Sequence, residues 1–171
     1  TYKESIGLLE ACDVPAYKIA SPQVQGNLSL VRAVAEKGKP LFMSFGYSRY
    51  GDIERAINTV KDAGNTDIVA LHCISKYPMV PAEANLRFIP TLQKMTGCLV
   101  GFSDHSMGSH LAVAAVALGA CVVEKHVSMD RSMDGPDHKF SMHFEEFASM
   151  VGQIRDLDQA LGTGQRMRLL E

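Results

Sequence analysis

Two histidines, His105 and His126, each close an apolar run of the chain. Cys98-Leu99-Val100-Gly101-Phe102-Ser103-Asp104 leads to the first, and Cys121-Val122-Val123-Glu124-Lys125 to the second. Neutral imidazole is a good ligand for first-row divalent metals. Two such ligands leave positions open to water and substrate, which suits a catalytic Lewis acid more than a structural ion. Residue type alone equally allows two hydrogen-bonded core histidines, the commoner case. Lys18 sits inside the apolar run Tyr17-Lys18-Ile19-Ala20, and a buried ammonium there requires an anion. Ser21, Ser44, Ser75 and Ser103 stand at the ends of four runs. A lysine with several hydroxyls and main-chain amides makes a phosphate or carboxylate site, although each serine singly reads as a strand-end cap.

Five apolar runs must position these groups: 17–21, 40–46, 68–75, 98–105 and 121–126. Short buried strands ending in reactive side chains are how a parallel α/β protein assembles a site at one rim. Helical patterns lie between them. Ile53, Ala56, Ile57 and Val60 recur at i, i+3, i+4, i+7, with Gly64 at the expected C-terminal cap. Leu111, Ala114, Ala115 and Leu118 repeat this before Gly119. Leu30, Val31 and Val34 mark a helix ending near Gly38, and 85–95 a weaker one. Residues 4–12 form a short first helix, and Phe144 to Leu161 a long last one. The alternation predicts parallel strands with right-handed crossovers. Periodicity leaves two folds open, a doubly wound sheet and part of a (β/α)8 barrel. Strand parity puts Gly101, Ser103 and His105 on one face, Glu124 and His126 on one face, and Ala70 with His72. His72 is read as facing the interior as a satisfied core histidine.

The 171 residues suit one domain, and 46% hydrophobic with 21% charged residues is an ordinary globular balance. A net charge of −2 argues against nucleic acid as a partner. No stretch has the length and apolarity of a membrane span, and the N-terminus shows no signal-peptide pattern. The four cysteines form no C-x-x-C pair and read as free thiols of a cytoplasmic protein. The first residue is Thr1, as in a piece of a longer or processed protein. Gly162-Thr163-Gly164 opens a tail, 163–171, whose last residues Leu170 and Glu171 read either as native or as an added remnant. The loop 128–141 holds Asp130, Asp134 and Asp137, too long for a tight turn and placed where such folds carry function. Asp130 and Asp134 read as solvated, and His110, His138 and His143 as surface groups.

Lys18-Ile19-Ala20-Ser21, His72-Cys73-Ile74-Ser75-Lys76-Tyr77-Pro78, Gly101-Phe102-Ser103-Asp104-His105, Glu124-Lys125-His126 and Gly135-Pro136-Asp137-His138 occur in that order. In order and spacing they resemble the sialic acid synthase family, which includes N-acetylneuraminate synthases, legionaminic and pseudaminic acid synthases and a spore-coat polysaccharide branch. The wording looks most similar to the spore-coat branch. The resemblance runs from about Ser5 to Gly162. It implies a TIM (β/α)8 barrel of which residues 1–162 are the last five βα units. The first three strands and a C-terminal antifreeze-like domain that reaches into a homodimer partner would lie elsewhere.

The resemblance also implies activity: phosphoenolpyruvate condenses with an N-acetylmannosamine-like aldose in a C–C bond-forming transfer dependent on a divalent metal, Mn2+ or Mg2+. His105 and His126 match the metal ligands. Lys18, Ser21, Ser44, Ser75 and Ser103 match phosphoenolpyruvate positions, and Tyr77 and Asp137 match acceptor-sugar positions. Asp104 is expected to orient a ligand or a water. Gln23 stands where the family usually has glutamate, Ser75 where some members have asparagine, and Ser44-Phe45-Gly46-Tyr47 replaces Ser-Thr-Gly-Met. These departures leave the phosphate site in place and the identity of the sugar open. Two other readings stand beside the synthase: a non-catalytic fragment that self-associates through open strand edges, and a related metal aldolase or condensing enzyme.

Overall fold

The computed structural model describes residues 2–165. Thr1 and residues 166–171, with most of the expected tail and the Leu170-Glu171 pair, lie outside the described residues. Five strands form one sheet: β1 (Tyr17–Ile19), β2 (Leu41–Ser44), β3 (Ile68–Cys73), β4 (Leu99–Asp104) and β5 (Val122–Lys125). Seven α-helices accompany them among the described residues: α1 (Glu4–Ala11), α2 (Ser21–Gly26), α3 (Leu28–Ala35), α4 (Tyr50–Asp62), α5 (Phe88–Thr96), α6 (His110–Ala117) and α7 (Phe144–Leu161). The amphipathic reading of α4 holds: Ile53, Ala56, Ile57 and Val60 are its buried residues. Gly64 and Gly119 follow α4 and α6 at φ +83° and +101°, the left-handed turn-off that glycine adopts freely.

All four strand pairings are parallel, in the spatial order β1-β2-β3-β4-β5. A doubly wound sheet reverses its strand order at a switch point, and this one does not. Curvature settles the matter. Lys18 on β1 and Glu124 on β5, at opposite edges, meet at 3.2 Å. In a flat five-stranded sheet those edges would lie about 19 Å apart, from four interstrand spacings. The sheet is therefore half of a TIM-type barrel, with the helices packed outside. The main core lies between sheet and helices, where Leu41, Met43 and Phe102 pack with Val31, Ile53 and Leu92. Each such buried side chain contributes about 1.5–3 kcal/mol.

The structure departs from the sequence reading at four places. Helix α2 was not expected: six residues are too few to show a period. Residues 81–83 form a 3-10 turn and α5 starts only at Phe88, because Asn85 adopts φ +42°. His72 does not face the barrel interior. Its Nε2 donates to the Ala84 carbonyl at 2.7 Å and its ring stacks on Phe102 and meets Phe88, so it belongs to the helix layer, satisfied as expected. Lys18 is not buried, for a third of its side chain is exposed, and the anion it meets is Glu124.

Candidate active site

Register decides which side chains share the interior face. The pairs Cys73↔Ser103 and Ser103↔Glu124 place those three in one row at the C-terminal rim. One step further, where β4 and β5 end, stand His105 and His126. Their ring centroids are 5.3 Å apart, about one interstrand spacing. His105 Nδ1–H donates to the Ile74 carbonyl at 2.8 Å, so in the neutral imidazole Nε2 is the nitrogen that keeps its lone pair. His126 is half-buried, its Nδ1 3.8 Å from Asp137 Oδ2. Burial holds its imidazole below the ordinary value of 6.5, and the neighbouring His105 pushes the same way. Both effects favour the neutral form that binds metals. Tyr77 lies over this pair, 4.0 Å from His105 and 5.8 Å from His126 between centroids, and Phe140 backs His126 at 5.2 Å. Burial raises the Tyr77 phenol, which keeps it a hydrogen-bond donor.

A polar cradle adjoins the imidazoles. Gly46 N–H donates to Ser21 Oγ at 2.8 Å. A side-chain carbon on Gly46 would stand 2.2 Å from Ser75 Oγ, 2.9 Å from Ser21 Oγ and 3.0 Å from Cys73 Sγ. Three side chains from two segments, the end of β3 and the start of α2, thus converge on one bare backbone position. Among the described residues, Ser44 Oγ is buried without a hydrogen-bond partner. Ser103 Oγ donates to Glu124 Oε1 at 2.7 Å, and Glu124 Oε2 meets Lys18. Gln23 lies apart from the imidazoles, with Lys18 and Ile6 along a groove of ≈ 140 Å³ beside β1.

Asp104, expected to orient a ligand or a water, does not line the cavity, so any such part is played from behind the sheet. It follows Ser103 and precedes His105, so strand alternation turns it to the opposite face. There it pairs with Lys125 at 2.7 Å, both side chains essentially fully buried, and its Oδ1 accepts from Ser106 N–H at 2.8 Å. Its carboxylate is committed behind the sheet, not presented to the cavity. The sequence reading gives Glu124 the face of His126 without a role at the site, and it assigns none to Cys73, Gly46 or Phe140. Cys73 sits in the strand row of Ser103 and Glu124. Gly46 and Phe140 depend on loops whose convergence spacing does not encode.

The donor set fits a divalent cation. Two imidazoles stand side by side, and among the described residues no third His, Cys, Asp or Glu joins them into a closed cluster.

A parallel (β/α) half-barrel with paired imidazoles and a polar cradle at its C-terminal rim is part of a TIM-type barrel. A family model described as the NeuB family matches residues 2–166, and the chain belongs to that family. It is 39% identical over 163 residues to the N,N'-diacetyllegionaminic acid synthase of Campylobacter jejuni, covering 94% of this chain and 48% of that protein. It is 34% identical over 160 residues to the N-acetylneuraminate-9-phosphate synthase of Mus musculus, covering 93% and 44%. The crystal structure of spore coat polysaccharide biosynthesis protein spsE from Bacillus subtilis superposes with a TM-score of 0.91 at 34% identity, over 100% of this chain and 48% of that one. The chain spans about half the length of the curated relatives it matches. Among the described residues no helix is long and apolar enough to cross a membrane.

Proposed function

We propose that the protein containing this chain condenses phosphoenolpyruvate with an open-chain N-acetylmannosamine-like aldose, giving a nonulosonic acid and inorganic phosphate. The observation that carries the reading is the imidazole pair at 5.3 Å, biased to neutrality at His126 and set beside the Lys18–serine cradle. A divalent cation, Mn2+ or Mg2+, held by His105 and His126 would supply Lewis acidity toward the aldehyde oxygen. The chain's own groups do the rest. Lys18 offers an ammonium with one face open, and Glu124 keeps it in place. Ser21, Ser44, Ser75 and Ser103 donate to phosphate and carboxylate oxygens and fix the direction of attack. Carbon 3 of phosphoenolpyruvate bonds to the aldehyde carbon, water adds at carbon 2, and phosphate leaves from the same carbon. Tyr77 and Asp137 flank the imidazoles where the acceptor sugar would lie, and Gln23 stands at the margin. The setting is cytoplasmic, with the full-length protein acting as a homodimer.

The test is phosphate release by the full-length protein from phosphoenolpyruvate and N-acetylmannosamine-type aldoses with Mn2+ or Mg2+. Product mass spectrometry accompanies it. A phosphate-free nonulosonic acid supports the reading, and a product that retains phosphate indicates aldolase-type chemistry instead. For the 171 residues alone, the unpaired edges of β1 and β5 favour a second reading, self-association without turnover. Mass in solution distinguishes it.

A further inference from the structure

The buried pair Asp104–Lys125 is the largest ionic investment among the described residues that the proposed chemistry does not use. Its side chains are 0% and 2% exposed, whereas the other ion pairs among them have at least one substantially exposed partner. A buried pair is seldom a net stabiliser compared with apolar packing of the same volume, so its retention needs another reason. Its place in the register supplies one. Asp104↔Lys125 is the last paired position of β4 and β5, and His105 and His126 are the residues immediately after it. Lys125 Nζ also donates to the Ser106 carbonyl at 2.5 Å, and Ser106 N–H donates to Asp104 Oδ1. One ammonium from β5 thus holds the residues on both sides of His105.

We infer that Asp104 and Lys125 form a positioning clamp that fixes the two imidazoles side by side. The physical reason is parity. A slip of one residue between β4 and β5 would turn His126 to the opposite face. Beyond the last ladder position, nothing in the backbone pairing of β4 with β5 holds His105 and His126 level. The clamp supplies that from behind the sheet, where apolar surroundings strengthen it and the alternatives to pairing are costly. Remaining contacts complete the alignment: Met79 N–H donates to the His105 carbonyl and Met142 N–H to the His126 carbonyl, each at 2.9 Å. Asp104 and Lys125 are positioning residues and touch no substrate.

The inference rests on His105 and His126 being cation ligands, and its test separates the two claims. Mn2+ alone is titrated into the full-length protein and its free aqueous signal followed by electron paramagnetic resonance. The wild type and His105→Ala establish whether the imidazoles bind it; equal affinity in both would overturn the ligand reading itself. If they differ, the charge-free variant Asp104→Leu/Lys125→Met decides the clamp. Apolar replacement of both partners preserves the fold, checked by circular dichroism and thermal unfolding. Mn2+ affinity is expected to fall about tenfold or more, as for other groups that orient metal ligands. A folded double variant with wild-type Mn2+ affinity would overturn the clamp and leave a purely structural pair. Should that variant fail to fold, Asp104→Asn carries the decision. It keeps the shape but leaves Lys125 without its counter-charge and so lowers stability; assayed at a temperature where circular dichroism shows it folded, it is expected to weaken Mn2+ binding, and it overturns the clamp if affinity is unchanged.

Discussion

Gly46→Ala isolates the convergence on which the anion cradle depends. The new methyl carbon would meet Ser75 Oγ at 2.2 Å, Ser21 Oγ at 2.9 Å and Cys73 Sγ at 3.0 Å. Gly46 does not occupy the left-handed region, so the substitution acts through space and not through backbone strain. The contact at 2.2 Å cannot persist, and Ser75 is the group able to turn away. Overpacking of this kind costs about 1–3 kcal/mol of stability. A displaced Ser75 forfeits one hydrogen bond to a charged ligand, worth about 1.5–3 kcal/mol. At about 1.4 kcal/mol per decade, phosphoenolpyruvate should bind roughly 10- to 150-fold more weakly. Isothermal titration of phosphoenolpyruvate into the full-length variant measures this. Adding Ser75→Ala removes the clashing hydroxyl, so stability should recover while binding stays weak. An unchanged dissociation constant in Gly46→Ala would refute the cradle.

Lys18→Ala should weaken phosphoenolpyruvate binding yet alter stability by less than about 1 kcal/mol, because its ion pair with Glu124 is partly exposed; titration and urea unfolding read the two separately. His72 is held below its ordinary value of 6.5 by burial. The unfolded chain therefore takes up a proton as pH falls through 6.5 while the folded protein resists, and stability present above that pH is lost on the acid side. Unfolding free energies from pH 7.5 down to pH 5 should show this fall, with a shallower slope in His72→Phe. Phe102→Ala removes a fully buried ring shared by the core and His72 and should cost about 3–5 kcal/mol, measured by denaturant midpoint.

Much of this architecture was legible because strand ends announce themselves. The runs before His105 and His126 terminate within a residue of the observed β4 and β5, and the helix period of Ile53 to Val60 matches α4. Facing was less legible. β3 is buried along its whole length, so no polar–apolar alternation marks which side of it is inside, and His72 was assigned to the wrong one. The side from which Asp104 acts is illegible for a related reason: adjacency to His105 in sequence means opposite faces in a strand. The Lys18–Glu124 contact, which decides for a barrel, joins residues 106 positions apart across the sheet. No local pattern carries curvature. Gly46 and Phe140 reach the site outside the strands, where position follows from packing and not from period.

The central claim is that His105 and His126 jointly hold a divalent cation inside the barrel. Anomalous diffraction from crystals of the full-length protein grown with Mn2+ addresses it directly. One strong peak contacted by both imidazoles, and lost in His126→Ala crystals, is the expected result. A peak away from either ring, or one that persists without His126, would contradict the account.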